Sequence, residues 1–300
     1  MAHLTLALLG GFQAELDGRP VTGFKSNKVR ALLAYLAVEA ERPHRRSTLA
    51  GLLWPERPDR DALNNLRYSL ANLRKILDDR SSATPFLLID HDTIQFNRAG
   101  DAWLDADQLL ARIAAACGPH AAGDLSPAAI ADLQSVLALY RGSLLEGFSA
   151  GDAAPFEEWL LLRREQIAQQ VTWALANLAA THEARGNYPQ AQTCARRQVA
   201  LEPWNEDAHR ALMRTLALDG QRSAALHQFQ VCRRILAEEL GVEPAEETIA
   251  LFEAVRKGGW VDRETRKQGI PAGGTRDASP APLFVARQSQ LSQLDRSLAA

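Results

Sequence analysis

Four pairs of residues, Leu178 and Leu212, Gly186 and Gly220, Tyr188 and Arg222, and Ala191 and Ala225, each stand 34 positions apart. A fixed period of that length confines the chain to stacked helix pairs, because each pair can bury its apolar face only against its neighbours. Glycine recurs where two helices must turn tightly, and alanine recurs where the second helix of a unit packs close to the first. The pattern predicts one unit over Gln169–Leu201, a second over Asn205–Leu240 and a capping helix over Ala245–Lys257. Further helices are expected at 105–117, 127–140 and 153–184, after an opening segment Asp101-Ala102-Trp103-Leu104-Asp105.

The first third of the chain has another texture. Leu4–Leu9 and Phe12–Leu16, separated by Gly10-Gly11, predict a small sheet. Ser26 opens a helix that buries Val29, Leu32, Leu33 and Leu36, while Arg45 and Arg46 lead into a short helix over Ser47–Trp54, stopped by Pro55. A long helix then starts near Asp59, expected to cap it, with Leu63, Leu66, Leu70, Leu73 and Leu77 on one buried stripe. Opposite that stripe fall Asn64, Asn65, Tyr68, Ala71, Asn72 and Lys75, with Arg67 and Arg74 on a flank. Phe86–Asp90 and Thr93–Asn97 read as a hairpin about His91-Asp92. Three helices followed by a hairpin outline a helix-turn-helix with a wing. The outer face of its last helix carries Asn, Tyr and Arg, the types that bond bases and phosphates.

Charge supports this reading. Residues 24–75 hold eleven Lys or Arg against five Asp or Glu, a local +6 in a chain of net −2. Double-stranded DNA is the simplest anionic partner for that excess, against the plainer reading of a solvated basic surface. Residues 1–97 carry 13 basic and 11 acidic groups, whereas 98–258 carry 15 and 21. The acidic helical half is therefore read as a protein-binding or regulatory part.

The blocks LALLGGFQAELDGRPV, KSNKVRALLAYLA, LLWPERP and ALNNLRYSLANLRKIL resemble the N-terminal module of the Streptomyces antibiotic regulatory protein family, an OmpR-like winged helix. LYRGSLLEGF, FEEWLLLRREQ and ILAEELGVEPAEETIALFEAV resemble the bacterial transcriptional activator domain that follows it in these regulators. The resemblance implies a mostly α fold with small β: a winged helix over residues 1–100, then an all-α tetratricopeptide-like helical repeat domain over 101–258. It implies Asn64, Asn65, Arg67, Tyr68 and Asn72 as base-facing or groove-facing residues, and Lys28, Arg45, Arg46, Arg74 and Lys75 as phosphate contacts. Asp90 and Asp92 at the wing tip depart from a basic wing. The family places protomers side by side on direct repeats, as a homodimer on DNA, to recruit RNA polymerase. Two alternatives stand beside this reading: a tetratricopeptide-like protein-interaction adaptor, and the sensing end of a signal-transduction ATPase.

Residues 259–282 have linker composition. Residues 283–300 resemble the start of such an ATPase, although Ala286 stands where its motif has glycine. No GxxxxGK[ST] segment occurs in the chain, and neither HExxH nor a GxGxxG after a strand is present. The seven histidines are scattered singly and the three cysteines form no CxxC, so no enzyme activity, cofactor or metal is expected, and the histidines are read as surface or capping residues rather than catalysts. Cys117, Cys194 and Cys232 read as small buried residues, and Trp159, Trp173 and Trp204 as core. With 46% hydrophobic and 23% charged residues, no bilayer-length apolar run and no signal peptide, the expected setting is the cytoplasm, with each domain burying its own core.

Overall fold

Alternating apolar and polar residues over Leu4–Ala7 (β1) and Gln13–Leu16 (β2) give an antiparallel pair, in register from Leu4 opposite Leu16 to Ala7 opposite Gln13. This computed structural model describes residues 2–79, 84–116 and 125–258. Arg19–Pro20 (β3) extends the pair on one side. Ala102–Leu104 (β7) joins it on the other, parallel to β1, so the sheet order is β3-β2-β1-β7. The segment expected to open the helical domain thus completes the N-terminal sheet instead.

Between these strands lie Asn27–Val38 (α1), Arg46–Leu53 (α2) and Asp59–Ile76 (α3). Leu87–Ile89 (β5) and Thr93–Phe96 (β6) form the wing hairpin, and His44–Arg45 (β4) adds a third strand ahead of α2, giving the order β4-β6-β5. Two expectations for α3 are corrected. Its N-cap is Pro58 and no side chain bonds there, so Asp59 and Asp61 act only through the helix dipole in the first turn. Leu63 is 40% exposed, whereas Leu66, Leu70, Leu73 and Leu77 are buried. The buried stripe starts at Ala62 rather than Leu63.

Asp105–Ala116 (α4), Pro127–Leu137 (α5) and the long Ala154–Ala184 (α6) follow. The repeats are Tyr188–Leu201 (α7) packed on α6, then Glu206–Leu218 (α8) with Arg222–Ile235 (α9). A π-helical turn, Leu236–Leu240, leads to Glu246–Arg256 (α10), which packs on α8 and α9. Gly186 and Gly220 end α6 and α8 at φ +70° and +75°, a conformation that costs any residue with a Cβ. Ala191 and Ala225 are fully buried at the equivalent close contacts, as the repeat requires.

The hydrophobic cores do not divide where the sequence suggests. One continuous core runs from Leu4 through the winged helix and α4–α6 to Cys194, while a second is built from α7–α10, from Ala195 to Val255. The reason lies in the seam. Asp105, almost fully buried, accepts the backbone N–H groups of Leu8 (2.8 Å) and Leu9 (2.9 Å), and Arg141 donates to it at 3.2 Å. Leu145 donates its N–H to Leu8 O at 2.8 Å, and Gly10 donates to Ser143 O at 3.0 Å. Trp159 Nε1 and Arg163 Nε both donate to Glu39 Oε1, at 2.7 and 2.6 Å. These bonds hold helical-half elements against the sheet and α1, so the surfaces between them exclude water together.

Trp159 packs in this seam against Tyr35 and Phe156, at ring distances of 4.8 and 5.2 Å. Trp173 and Trp204 are exposed, against the expectation of core positions. His44, His182 and His209 are buried rather than at the surface, and His44 and His209 each bond a backbone carbonyl, of Glu39 and Pro203. Cys194 and Cys232 are buried thiols as expected; Cys117 lies outside the described residues, as do the linker at 259–282 and the segment 283–300.

Candidate nucleic-acid interface

The outward face of α3 is set by what the helix buries. With Ala62, Leu66, Ser69, Leu70 and Leu73 turned inward, the opposite arc presents Arg60, Asn64, Arg67, Tyr68, Ala71 and Lys75 to solvent. Tyr68 is 74% exposed, with its ring and hydroxyl both open to solvent. Arg60, Arg67, Arg74 and Lys75 make no ion pair with an acidic side chain among the described residues. Asn65 and Arg74 are half-buried at the edges of the arc. Arg60 was not singled out from the sequence, although its spacing signals it: positions 60, 64, 67 and 71 follow one helix face.

Two of the expected contacts are corrected. Asn72 is only 7% exposed, and its amide is occupied by the chain before α1: Lys25 N–H donates to Asn72 Oδ1 at 3.0 Å, and Asn72 Nδ2 donates to Gly23 O at 3.1 Å. In this structure that amide is turned to the chain rather than to solvent. Lys28 has a side chain 14% exposed, and its Nζ stands 2.6 Å from Asp152 Oδ1 and 5.6 Å from the centre of the Trp54 ring. The Lys28 ammonium beside Asp152 holds that carboxyl below its ordinary range. Helical projection alone gave Asn72 to the solvent because it does not see the loop lying across that edge.

Arg45 is exposed on β4, and Arg46 donates from Nη2 to Asp90 O at 2.9 Å, bracing the wing. His91 at the wing tip contacts Asp92 at 2.7 Å, leaving the tip without a free basic side chain of its own. α3, β4 and the wing therefore carry exposed basic and amide side chains, interrupted by the exposed Asp61 on α3 and by Asp90 and Asp92 at the wing tip.

Residues 147–151 read Gly-Phe-Ser-Ala-Gly, the spacing of a hydrolase nucleophile elbow, but no strand leads into them. Ser149 Oγ donates to Glu157 Oε1 at 3.0 Å and accepts from Gly151 N–H at 3.1 Å, the bonds of a loop leading into a helix. Burial pushes the Cys194 and Cys232 thiols up to about 11, which keeps them protonated and unreactive near neutrality. Among the described residues no group of His, Cys, Asp and Glu is placed to hold a metal, and no helix is long and apolar enough to cross a membrane.

The bacterial transcriptional activator domain matches residues 104–256, more than half of the chain. The chain belongs to the bacterial transcriptional activator domain family. Within that family it is similar to the transcriptional regulator RedD of Streptomyces coelicolor, 31% identical over 245 residues that cover 74% of this chain and 62% of RedD. It is also similar to the regulatory protein AfsR of the same species, 30% identical over 243 residues, covering 80% of this chain but 23% of AfsR. The chain thus spans less than two thirds of either relative. Among solved structures, Mycobacterium tuberculosis EmbR, in complex with a low-affinity phosphopeptide, aligns with a TM-score of 0.67 at 23% identity, over 86% of this chain and 66% of that one. That likeness concerns the fold: a winged helix joined to a helical activator domain.

Proposed function

We propose that this chain is a sequence-specific DNA-binding transcription regulator acting as an activator. In this reading, residues 1–100 bind DNA and residues 101–258 support assembly at the promoter. The observation that carries it is the outer face of α3, where Asn64, Arg67 and Tyr68 stand exposed beside Arg60 and Lys75, which among the described residues form no ion pair with an acidic side chain. A helix so furnished suits the major groove, where arginine pairs with guanine and asparagine with adenine. Arg45, Arg74 and Lys75 flank it as phosphate contacts, with Arg46 holding the wing beside them. Asn65, at the half-buried edge, faces the groove wall.

Family membership supports a role in transcription, and RedD is itself named a transcriptional regulator. Side-by-side protomers on direct repeats, with RNA polymerase as the protein partner, complete the proposal. A protein contact through the helical half is favoured by Leu161, Leu162 and Trp173, exposed on α6. No catalytic step is assigned to this chain, and the cytoplasm is its proposed site of action.

The test is selection of genomic DNA fragments by the purified chain, followed by affinity against salt for the enriched sequence and for a scramble. A repeated motif bound roughly 10³-fold more tightly than the scramble is the expected result. Failure to enrich any motif, with affinity insensitive to salt, would reject DNA reading and favour the adaptor.

A further inference from the structure

The Asn72 amide ties α3 to the loop ahead of α1, where cations cluster. Of the three cations around the start of α1, two are engaged within the fold. Lys28 pairs with Asp152, and Arg30 donates to Asn27 Oδ1 at 2.8 Å with its guanidinium 5.3 Å from the Phe24 ring centre. Lys25 is different: it is exposed, and among the described residues its ammonium has no acidic partner. Its backbone, by contrast, is pinned. Asn72 accepts the Lys25 N–H and donates to the Gly23 carbonyl, closing a two-bond clamp between α3 and the loop. Gly23, at φ +87°, makes the turn that brings both groups to one amide, and the Cβ it lacks would lie 3.5 Å from Ile76 on the same helix. On α3, Asn72 lies one turn from Tyr68 and next to the exposed edge that carries Lys75. The clamp therefore fixes Lys25 alongside the rim of the proposed reading face.

We infer that Lys25 is a phosphate contact and that Asn72 is its positioning residue, so that the helix reading the bases also sets the place of a backbone contact. This rests on the DNA-binding reading above. A lysine held at its backbone but free at its ammonium can follow a phosphate without losing its register to α3. The contact is sequence-independent, because a lysine point charge carries no base information.

The experiment is a double-mutant cycle with the full chain, measuring affinity against salt for the enriched operator and a scrambled duplex. Lys25→Ala, a surface change with little risk to folding, should lower the log–log salt slope by about 0.9 and weaken both duplexes roughly fivefold near 0.15 M salt. Lys25→Arg should restore both. Asn72→Ala should reproduce part of that loss in the wild-type background and almost none of it beside Lys25→Ala. An unchanged salt slope in Lys25→Ala, with the wild type binding DNA in a salt-dependent way, overturns the inference while leaving DNA binding intact. Asn72→Ala losing equal affinity in both backgrounds would overturn the positioning role. A wild type that binds no DNA removes the inference together with the reading on which it rests.

Discussion

Tyr68 and Asn72 are one helical turn apart on the same helix, and their fates differ by a loop that crosses only one of them. Tyr68 remains in water, whereas Asn72 spends both ends of its amide on the backbone of Gly23 and Lys25. Tyr68→Ala and Arg67→Ala should therefore each cost about 1–3 kcal/mol on the operator and far less on random DNA. Titration of both duplexes checks this, and equal losses on the two would remove these residues from base reading. A buried histidine sets a second expectation. His209 is fully buried, with Nε2 at 2.8 Å from the Pro203 carbonyl and Nδ1 at 2.7 Å from the Gln228 amide. A carbonyl can only accept, so Nε2 carries the proton and Nδ1 accepts from Gln228. Burial holds the ring below its ordinary value of 6.5. The unfolded chain therefore takes up the proton first on acidification. Its contribution to stability is full above about pH 6.5 and is lost as the pH falls through the depressed folded value, by at most about 1.4 kcal/mol per pH unit. Melting curves of the wild type and His209→Gln between about pH 7.5 and 5.5 measure it, and parallel curves would contradict it.

At the scale of the element, α3 shows how far periodicity reaches. Steps of three and four placed Leu66, Leu70, Leu73 and Leu77 in the core, because a helix turns those positions to one side whatever surrounds it. The same rule placed Leu63 there too, yet in that turn it is Ala62 that faces the core, and Leu63 is turned toward solvent. Leu73→Ala should then cost about 2–5 kcal/mol, while Leu63→Ala should change stability by less than about 0.5 kcal/mol. Urea denaturation of the two variants separates them; similar losses would mean that the helix is rotated otherwise. The repeats were more legible still. Glycine at 186 and 220 and alanine at 191 and 225 answer to local demands, a left-handed turn and a close approach, that are written into single residues. Trp173 and Trp204 were not legible, because a large apolar ring reads as core unless the neighbours that would cover it are known.

For the whole molecule, the decisive feature is the seam. β7 completes the N-terminal sheet, Asp105 ties the end of β1 to α4, and Glu39 ties α1 to α6, so the winged helix shares its core with α4–α6. A fragment ending at residue 100 loses that strand and the helices that cover Leu8, Leu9 and Tyr35. It should lack cooperative unfolding, whereas the full chain should melt with near-ultraviolet signals from its tryptophans lost together; a sharply melting 1–100 fragment would show that the seam is dispensable. By itself the sequence determined the helices, the longer strands, the repeat and the chemistry offered by α3, since helix faces, strand alternation and turn glycines depend on residues within about one turn of each other, whereas β3, β4 and β7 are strands only because a partner strand lies beside them. Only the tertiary structure decided which polar groups remain free. Whether Asn72, Lys28 or Lys25 meets solvent depends on segments up to about 120 residues away, Asp152 being the farthest, and burial and ion pairing are properties of that assembly.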